Sequence, residues 1–368
     1  MGKIQANKNN AIINMKKVQA NIGGSIKNLK KAQANIGGVI KTIWTSFQGF
    51  VYAITGGSGN TLVKISPTGG NVWQYPAGSF IYDIKLDGIS DAVYIYTSSY
   101  SDKKIIKVSV TGTKLWEVIL PGANSYDIST DSEGNIYGIE WREVEWATYK
   151  PFLVKVTPNG VKSDISDMCF TVEGHTCDYV RALNKNKVIA VTRQTTDTVF
   201  LYNINTKSYN KYMLASSTAS MVVESDGDGH FYIAAPYIAK ITETGSPIWK
   251  KTGTDMQSTW SACINKDSII INDIGKRLRK YDLQGNLKGI FEFPLVGTTE
   301  IHQVAVDKEG YIYYNYADKS NNIGKLIKAI DDISNGKCPT VWEFTNVYYA
   351  TEIAASPCLI GNNPNAWN

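Results

Sequence analysis

The segment Asp131-Ser132-Glu133-Gly134-Asn135-Ile136-Tyr137 is the clearest copy of a pattern that returns along the chain. It is followed by a β-rich run at residues 152–156 and by a second turn at residues 158–160. Six other segments repeat this order of an Asp/Gly turn, a β-rich run, a second run that usually contains lysine, and a Gly turn that a tryptophan often follows. One such unit cannot bury its own apolar face, so the recurrence predicts a repeat protein whose units pack side by side.

Seven units can be placed between residues 44 and 368, each with four β-rich runs in about 42 residues. This period and strand number predict an all-β protein with a seven-bladed β-propeller, an eight-bladed count being the alternative. Residues 351–356 align with the innermost strand of the other units. They are therefore predicted to pair with the first unit and close the ring, while residues 39–46 either share that role or belong to the segment before it.

The composition fits a β-rich chain with a large core: 43% of the 368 residues are hydrophobic, 19% are charged and 22 are tyrosine. No window of eighteen apolar residues exists, and the first thirty residues lack a continuous apolar stretch. The sequence therefore predicts neither a membrane span nor a secretory signal, and we expect folding in a cytoplasm.

The positive charge is concentrated before the propeller. Residues 1–43, the arm, hold eight of the 38 basic residues and none of the 33 acidic ones. The remainder carries 30 basic against 33 acidic residues, so a basic nucleic-acid-binding surface is not expected on the propeller.

The arm repeats every fourteen residues, at 3–7, 17–21 and 31–35. Fourteen is two heptads, and Met15, Ile22, Leu29, Ile36 and Ile43 fall seven apart, which would suit a coiled coil. A Gly-Gly pair in the last two copies opposes a helix, since each glycine costs about 0.8–1 kcal/mol there. Gly-Gly between β-prone runs is typical of two-residue hairpin loops, so the arm is predicted to form β-hairpins.

Short Lys-rich repeats with Gly turns that end in an aromatic, as in Val39-Ile40-Lys41-Thr42-Ile43-Trp44, resemble those of tail-associated structural proteins from phages and prophages of Gram-positive bacteria. The resemblance implies an attachment module on a virion, assembled in the host cytoplasm. The arm, with Lys17 and Lys31, would then dock to other tail or baseplate proteins or to further copies of the chain. A basic leader without a partner is the alternative.

The propeller units resemble those of propellers with pyrroloquinoline-quinone-like repeats. The likeness rests on a lysine followed nine residues later by tryptophan across a Gly turn, at Lys64 and Trp73 and at Lys107 and Trp116. In such proteins the repeated tryptophan caps blade packing, so the resemblance concerns the fold and implies no cofactor.

Metal and disulfide chemistry are not expected. The five cysteines are odd in number, form no C-x-x-C pair and lie in different units, so buried free thiols are predicted. His175, His230 and His302 are too few and too scattered for a histidine metal centre or a Ser-His-Asp triad. Asp226-Gly227-Asp228-Gly229 is similar to part of a calcium loop, but it aligns with Asp131 and Asp307 and is interpreted as a turn.

Two groups of residues are candidates for binding. In a propeller the innermost strands line the channel, and their entrances here hold aromatic and acidic residues suited to a sugar or a cationic partner. These residues are Tyr82, Asp83, Tyr126, Asp127, Asp178, Tyr179, Trp260 and His302. A predicted long loop in the third unit places Trp141, Glu143 and Trp146 for contact with a sugar or a partner chain.

The sequence thus favours a non-enzymatic, structural virion component. Its arm would dock to the tail and its propeller would present a surface for host attachment, receptor binding or contact with neighbouring subunits, with a cell-surface glycan as a candidate ligand. The alternatives are a propeller enzyme acting on a glycan and a cellular protein-interaction scaffold.

Overall fold

The computed structural model describes residues 19–22, 25–28, 31–36, 39–45 and 50–355, the last range with gaps. The gaps are residues 56–57, 88–89, 91, 99–101, 122–126, 132, 147, 166–176, 183–187, 194–197, 214–221, 227–228, 236, 253–254, 257–258, 266, 295–298, 308, 319–322 and 348–352. Within these ranges the elements are strands and one short 3-10 helix, Ile333–Asn335, and no helix there is long and apolar enough to cross a membrane. The chain divides into two compact units between residues 48 and 49.

The arm contains two antiparallel hairpins, β1 (Gln19–Ile22) with β2 (Ser25–Asn28) and β3 (Lys31–Ile36) with β4 (Val39–Thr45). Their last pairs, Ile22 with Ser25 and Ile36 with Val39, leave two residues between the strands, which are the Gly-Gly pairs of the sequence. The hairpin prediction is confirmed over the helical alternative, and β4 continues the last hairpin of the arm to Thr45, two residues beyond the predicted boundary at residue 43. Lys17 and the first copy of the repeat lie outside the described residues.

Residues 49–366, the larger of the two compact parts of the chain, contain a β-propeller of six sheets. Five of them have four antiparallel strands in chain order. The first comprises β8 (Phe80–Leu86), β9 (Val93–Ser98), β10 (Asp102–Val108) and β11 (Lys114–Pro121). The second comprises β12 (Ser129–Thr130), β13 (Ile136–Glu145), β14 (Thr148–Val156) and β15 (Lys162–Asp164).

The remaining three sheets of this kind follow the same order. They are β16 (Cys177–Ala182), β17 (Val188–Arg193), β18 (Thr198–Asn203) and β19 (Ser208–Met213); β20 (Val222–Ser225), β21 (His230–Ala234), β22 (Ile238–Thr242) and β23 (Pro247–Lys251); and β24 (Thr259–Ile264), β25 (Ser268–Asp273), β26 (Arg277–Asp282) and β27 (Leu287–Glu292).

The sixth sheet has eight strands and corrects the predicted blade count. It joins β28 (Thr299–Val306), β29 (Tyr311–Asp318), β30 (Ile323–Ile330) and β31 (Thr340–Val347) to β5 (Val51–Thr55), β6 (Thr61–Ile65), β7 (Asn71–Pro76) and β32 (Ile353–Ala355). Val347 pairs with Thr55, so the strands of the predicted first and seventh units form one sheet. Counted as continuous sheets the blades number six, and the predictions of seven or eight were wrong.

The predicted pairing of the C-terminal strand with the first unit is confirmed. β32 runs antiparallel to β5, with Ile353 opposite Ala53 and Ala355 opposite Val51. A strand from the end of the chain therefore covers the inner edge of the first propeller strand, which removes an open edge at the point of closure.

A lysine, a tyrosine and a tryptophan pack together inside the repeated units. Lys107 Nζ lies 5.1 Å from the centre of the Tyr94 ring, which lies 5.7 Å from the Trp116 ring. Cation–π attraction and tilted ring contacts stabilise such a group. The equivalent groups are Lys64 with Tyr52 and Trp73, Lys240 with Tyr232 and Trp249, and Lys328 with Tyr313 and Trp342.

The same tryptophans cover the Gly turn of the next unit. Trp116 Nε1 donates to Pro158 O at 2.9 Å, and a Cβ built on Gly160 would lie 3.1 Å from the indole. Gly160 has a φ of +82°, a left-handed conformation that favours glycine. We call a Gly turn that is covered by a tryptophan ring of the preceding unit a capped turn. The other capped turns pair Trp73 with Gly112, Trp249 with Gly285 and Trp342 with Gly69. Trp342 Nε1 also donates to Pro67 O at 2.8 Å, so this contact ties the last unit to the first.

Two of the units that lack the tryptophan replace its contact. Asn210, opposite Leu201 on β18, donates from Nδ2 to Thr244 O at 3.3 Å in the next unit. At Gly289 a Cβ would lie 2.2 Å from Ile333 O, because the short 3-10 helix packs there. In these two units another residue therefore takes the place of the tryptophan.

The Asp turns that define the repeat are structural, as predicted. Asp131 Oδ1 accepts from the N–H groups of Glu133 and Asn135, both at 2.9 Å, and Oδ2 accepts from Tyr137 Oη at 2.8 Å. Asp307 is bonded in the same way, and Asp226 Oδ1 accepts from His230 N at 3.1 Å. Residues 227–228 of the calcium-like segment lie outside the described residues. In the part of the chain that the structure describes, no group of three or more metal-ligating side chains is placed to hold an ion.

Two of the predicted free cysteines can be placed. Cys263 and Cys338 are buried and form no disulfide. Burial raises the pKa of the Cys338 thiol to about 12, so it stays protonated at neutral pH.

Candidate functional site

The innermost strands of the propeller surround a cavity of about 320 Å³, the channel cavity. Its lining comes from β8, β16, β20, β24 and β28, and from Asp127 just before β12. The predicted position of the binding face, at the innermost strands, is therefore where the structure places a cavity.

β-Bulges occur on four of these inner strands, where the residues that the sequence singled out lie. The register shifts at Tyr82 on β8, at Asp178 on β16 and at Trp260 on β24. On β28 it shifts across His302 and Gln303. A bulge leaves a residue out of the regular ladder, so the backbone at these positions departs from regular strand pairing.

Two buried asparagines hold the bulge of β28. Asn272 Nδ2 donates to Ile301 O at 2.8 Å and to His302 O at 3.0 Å. Asn315 Oδ1 accepts from His302 N at 3.1 Å and from Gln303 N at 2.7 Å. Four hydrogen bonds thus fix a backbone segment that leaves the ladder, and they position Gln303 in the cavity lining.

Aromatic rings form part of the lining. Trp260, Tyr82 and Phe80 contribute to it. The Trp260 ring lies 5.2 Å from the His302 ring, and the Tyr82 ring lies 4.7 Å from the Phe80 ring in an edge-on arrangement. His302 Nε2 is 2.6 Å from Glu300 Oε1, so a carboxylate orients the imidazole beside Trp260. Such rings offer flat apolar faces for stacking.

A chain of alternating charges crosses the lining. Lys85 Nζ lies 2.6 Å from Asp83 Oδ1 and 3.4 Å from Asp127 Oδ1. Arg181 is hydrogen-bonded through Nη1 to Asp127 Oδ2, and its Nη2 lies 3.3 Å from Glu224 Oε1. Three carboxylates therefore alternate with two cations, all of them largely buried.

The two aspartates also join neighbouring inner strands. Asp83 Oδ2 accepts from Ile128 N at 2.9 Å, and Asp127 Oδ2 accepts from Val180 N at 3.1 Å. Each bond runs from one sheet to the next, so these carboxylates hold the channel wall together as well as lining it.

Two polar atoms of lining residues are buried without a hydrogen bond. Glu224 Oε2 and Ser261 Oγ have no partner among the residues that the structure describes, and the two residues are only 3% and 5% exposed. A buried acceptor without a donor costs about 1–3 kcal/mol, and more when it is charged. These atoms mark the place in the lining where a further hydrogen-bonding group would be most favourable.

The two carboxylates that bind Arg181, Asp127 and Glu224, have different environments. Burial pushes the pKa of Asp127 upward, but Arg181 and Lys85 outweigh it and hold the pKa below the usual range. Burial raises the pKa of Glu224, and Arg181 offsets only part of that effect. The ionised form is therefore favoured at Asp127 and disfavoured at Glu224, relative to the same groups in water.

The structure brings together some of the predicted site residues. Tyr82, Asp83, Asp127 and Trp260 line the channel cavity, and His302 packs against Trp260. Asp178 and Tyr179 lie on β16, with side chains outside the described residues, as is all of Tyr126.

Four polar lining residues were missed: Lys85, Arg181, Glu224 and Ser261. The alternation of side chains along a strand could have identified Lys85 and Arg181, because residues two apart lie on the same face of the sheet. Lys85 stands two after Asp83, and Arg181 stands two after Tyr179. Glu224 lies on an inner strand from which no candidate had been chosen, and Ser261 follows a bulge, which breaks the alternation.

The predicted long loop of the third unit is instead a β-hairpin. β13 and β14 extend past their neighbours to a last pair, Glu145 with Thr148. Trp146 at the tip is 94% exposed, and Glu143 is also exposed. Trp141, in contrast, packs on the buried cluster around Tyr137, so of the two tryptophans only Trp146 is presented to solvent. Lys31 lies on β3, and its side chain is outside the described residues.

Comparison with known proteins adds little. No protein-family model matches the chain, and no curated protein matches its sequence. A crystal structure of a protein of unknown function from Bacteroides caccae is similar, with a TM-score of 0.43 and 15% identity over 65% of this chain and 92% of that chain. A similarity at this level has no bearing on function.

Proposed function

We propose that the protein is a non-enzymatic attachment component of a phage-tail-like particle, whose channel cavity binds a cell-surface glycan and whose arm docks to the tail or baseplate. The observation that carries the proposal is the channel cavity, in which aromatic faces meet buried polar atoms that have no partner among the described residues.

Sugar rings match this combination of surfaces. Their C–H faces stack on aromatic rings such as Trp260 and Tyr82, and their hydroxyl groups donate to acceptors such as Glu224 Oε2 and Ser261 Oγ. A volume of about 320 Å³ is at the low end of small-molecule sites, which span roughly 300–1,000 Å³. The cavity therefore suits a terminal sugar rather than an internal stretch of polysaccharide.

The charge and the strand edges of the arm support a docking role. Its eight lysines and lack of acidic residues favour an acidic partner surface. Within the described residues each hairpin is a two-stranded sheet, so its outer edges offer backbone groups for pairing with another chain, including a second copy.

Trp146 supports a second contact, with a neighbouring subunit of the particle. It stands at the tip of the β13–β14 hairpin, and exposed tryptophans dominate the binding energy of many interfaces.

Binding of the full chain to intact Gram-positive cells tests the attachment role. We expect fluorescently labelled protein to bind, soluble sugars to compete, and Trp260→Ala to weaken binding about tenfold through loss of stacking, worth about 1.4 kcal/mol. Trp146→Ala, at an equally aromatic but distant position, should leave cell binding unchanged. Binding no better than that of a neutral control protein would remove the support for host attachment.

Incorporation into particles tests the arm. Deleting residues 1–43 should abolish incorporation, whereas the Trp260→Ala chain, with its arm intact, should be incorporated normally. Particles that retain the truncated protein would contradict the docking role.

A further inference from the structure

The channel cavity has one more acidic than basic side chain. Asp83, Asp127 and Glu224 line it together with Lys85 and Arg181. The side chains of Lys85 and Arg181 are only 17% and 10% exposed, and those of the carboxylates less than that. Charges so far removed from water interact strongly, so the lining favours an entering group of positive charge.

Both lining cations are already paired with carboxylates. Lys85 lies between Asp83 and Asp127, and Arg181 lies between Asp127 and Glu224. An anionic ligand would have to displace one of these carboxylates and would then face the remaining negative charge. A phosphate or carboxylate is therefore a poor match for this site.

The chain of charges ends at the carboxylate of Glu224. Glu224 Oε1 accepts from Arg181, but Oε2 has no partner among the described residues. Ser261 Oγ, on the adjacent inner strand β24, also has no hydrogen-bond partner among the described residues. Two acceptors in one lining call for a group with more than one donor.

A protonated amine meets these conditions better than the other groups of common sugars. An ammonium carries a positive charge and three donors, whereas a hydroxyl or an N-acetyl amide offers one donor and no charge. Hydrogen bonds between ionised partners are roughly twice as strong as neutral ones. The faces of Trp260 and Tyr82 add cation–π attraction for a cation in the same cavity.

We propose that the channel cavity selects a sugar that carries a free ammonium group, which binds Glu224 and Ser261. This rests on the proposed function, because it names the ligand class of the same site. An N-acetylated sugar of the same ring lacks the charge, and a neutral sugar has at that position a hydroxyl group with one donor and no charge.

Calorimetric titration of the full chain with D-glucosamine, N-acetyl-D-glucosamine and D-glucose tests this, at a pH where the amine is protonated. We expect glucosamine to bind at least tenfold more tightly than the other two sugars. Glu224→Gln should lower glucosamine affinity to that of glucose and change glucose affinity less than threefold. Glu243→Gln, which neutralises an exposed carboxylate in the turn after β22, should change none of the three affinities.

The outcomes separate the two proposals. Equal affinity for the three sugars overturns the ammonium selectivity and leaves glycan binding standing. Absence of binding for all three overturns both. A glucosamine preference that survives in folded Glu224→Gln overturns the assignment to Glu224. If that variant fails to fold, the ranking of sugars by the unaltered protein decides the selectivity, and Ser261→Ala, which keeps the charge, should weaken glucosamine binding about threefold.

Discussion

The capped turns and the channel cavity are built from the same repeat, but they differ in how completely their polar groups are hydrogen-bonded. At a capped turn the indole N–H has an acceptor, the ring covers a glycine, and the lysine lies over an aromatic ring. In the channel cavity bulges interrupt the strands, buried charges alternate, and two acceptors have no donor among the described residues. The regular part of the repeat maintains the fold, and a binding role is best sought where the repeat is broken.

Removing a charge from the cavity should have the largest effect on stability. Arg181→Ala leaves Asp127 and Glu224 buried without their shared partner, so we expect a loss of about 3–5 kcal/mol in the free energy of unfolding. Lys325→Ala removes one partner of an exposed ion pair, in which Lys325 Nζ lies 3.0 Å from Glu343 Oε2, and it should cost no more than about 1 kcal/mol. Chemical denaturation of both variants measures the difference. Equal losses would mean that the cavity charges are as solvated as a surface pair.

A capped turn should be next in sensitivity. Trp342→Ala removes the ring over Gly69 and the bond to Pro67 O that ties the last unit to the first. We expect a loss of about 2–4 kcal/mol, because a half-buried tryptophan loses packing as well as a hydrogen bond. Trp146→Ala, at a 94% exposed position, should stay within about 0.5 kcal/mol. Thermal unfolding compares the two variants. A similar small change in both would show that the closed propeller does not depend on the contact between Trp342 and Pro67.

Replacing the glycine of a capped turn by alanine should lower the free energy of unfolding somewhat less. In Gly285→Ala the new Cβ would lie 2.7 Å from Trp249, and Gly285 has a φ of +79°. Gly78 has a similar φ of +76°, and no atom of the described residues lies within 4 Å of a built Cβ. Gly78→Ala should therefore show only the backbone strain, about 1 kcal/mol, and Gly285→Ala about 1–2 kcal/mol more. If denaturation finds the two variants equal, the indole does not press on the turn.

The smallest effect concerns pH. Burial raises the folded-state pKa of Glu224, which faces Arg181, Lys85 and Asp127, above its unfolded value. Its contribution to stability is therefore present below the unfolded pKa, about 4.3, and is lost as pH rises through the folded pKa. Glu224→Gln lacks this loss, so its stability relative to the unaltered protein should rise with pH above about 4.3, by up to about 1.4 kcal/mol per pH unit within that window. Denaturation at several pH values tests this, and a relative stability that falls with pH would contradict the assigned direction.

The sequence predicted the fold well because each unit carries its own local signals. Asp131 and Gly134 mark a turn, Gly-Gly marks the arm hairpins, and the spacing from Lys107 to Trp116 reflects strands that pair in the structure. The number of sheets was not predictable in this way, because the single pair between Val347 and Thr55 joins segments from opposite ends of the chain. The pairing of β32 with β5 was predictable because residues 351–356 match the inner strand of the other units, whereas the Val347–Thr55 pair corresponds to no feature of the repeat.

The candidate site was predicted only in part, for a related reason. Tyr82 and Trp260 stood out as aromatic residues in the aligned inner strands, and both line the cavity. Arg181 and Glu224 did not stand out, since a charged residue on a short strand usually faces water. Their burial depends on how neighbouring sheets meet around the channel, and that arrangement comes from the whole ring rather than from one unit.

The most direct test of the central claim is a crystal structure of the full chain with D-glucosamine bound. We expect the sugar in the channel cavity, with its ring against Trp260 and its amine about 2.7–2.9 Å from Glu224 Oε2. A sugar bound only outside the innermost strands, or a channel cavity without sugar at saturating concentration, would contradict the account.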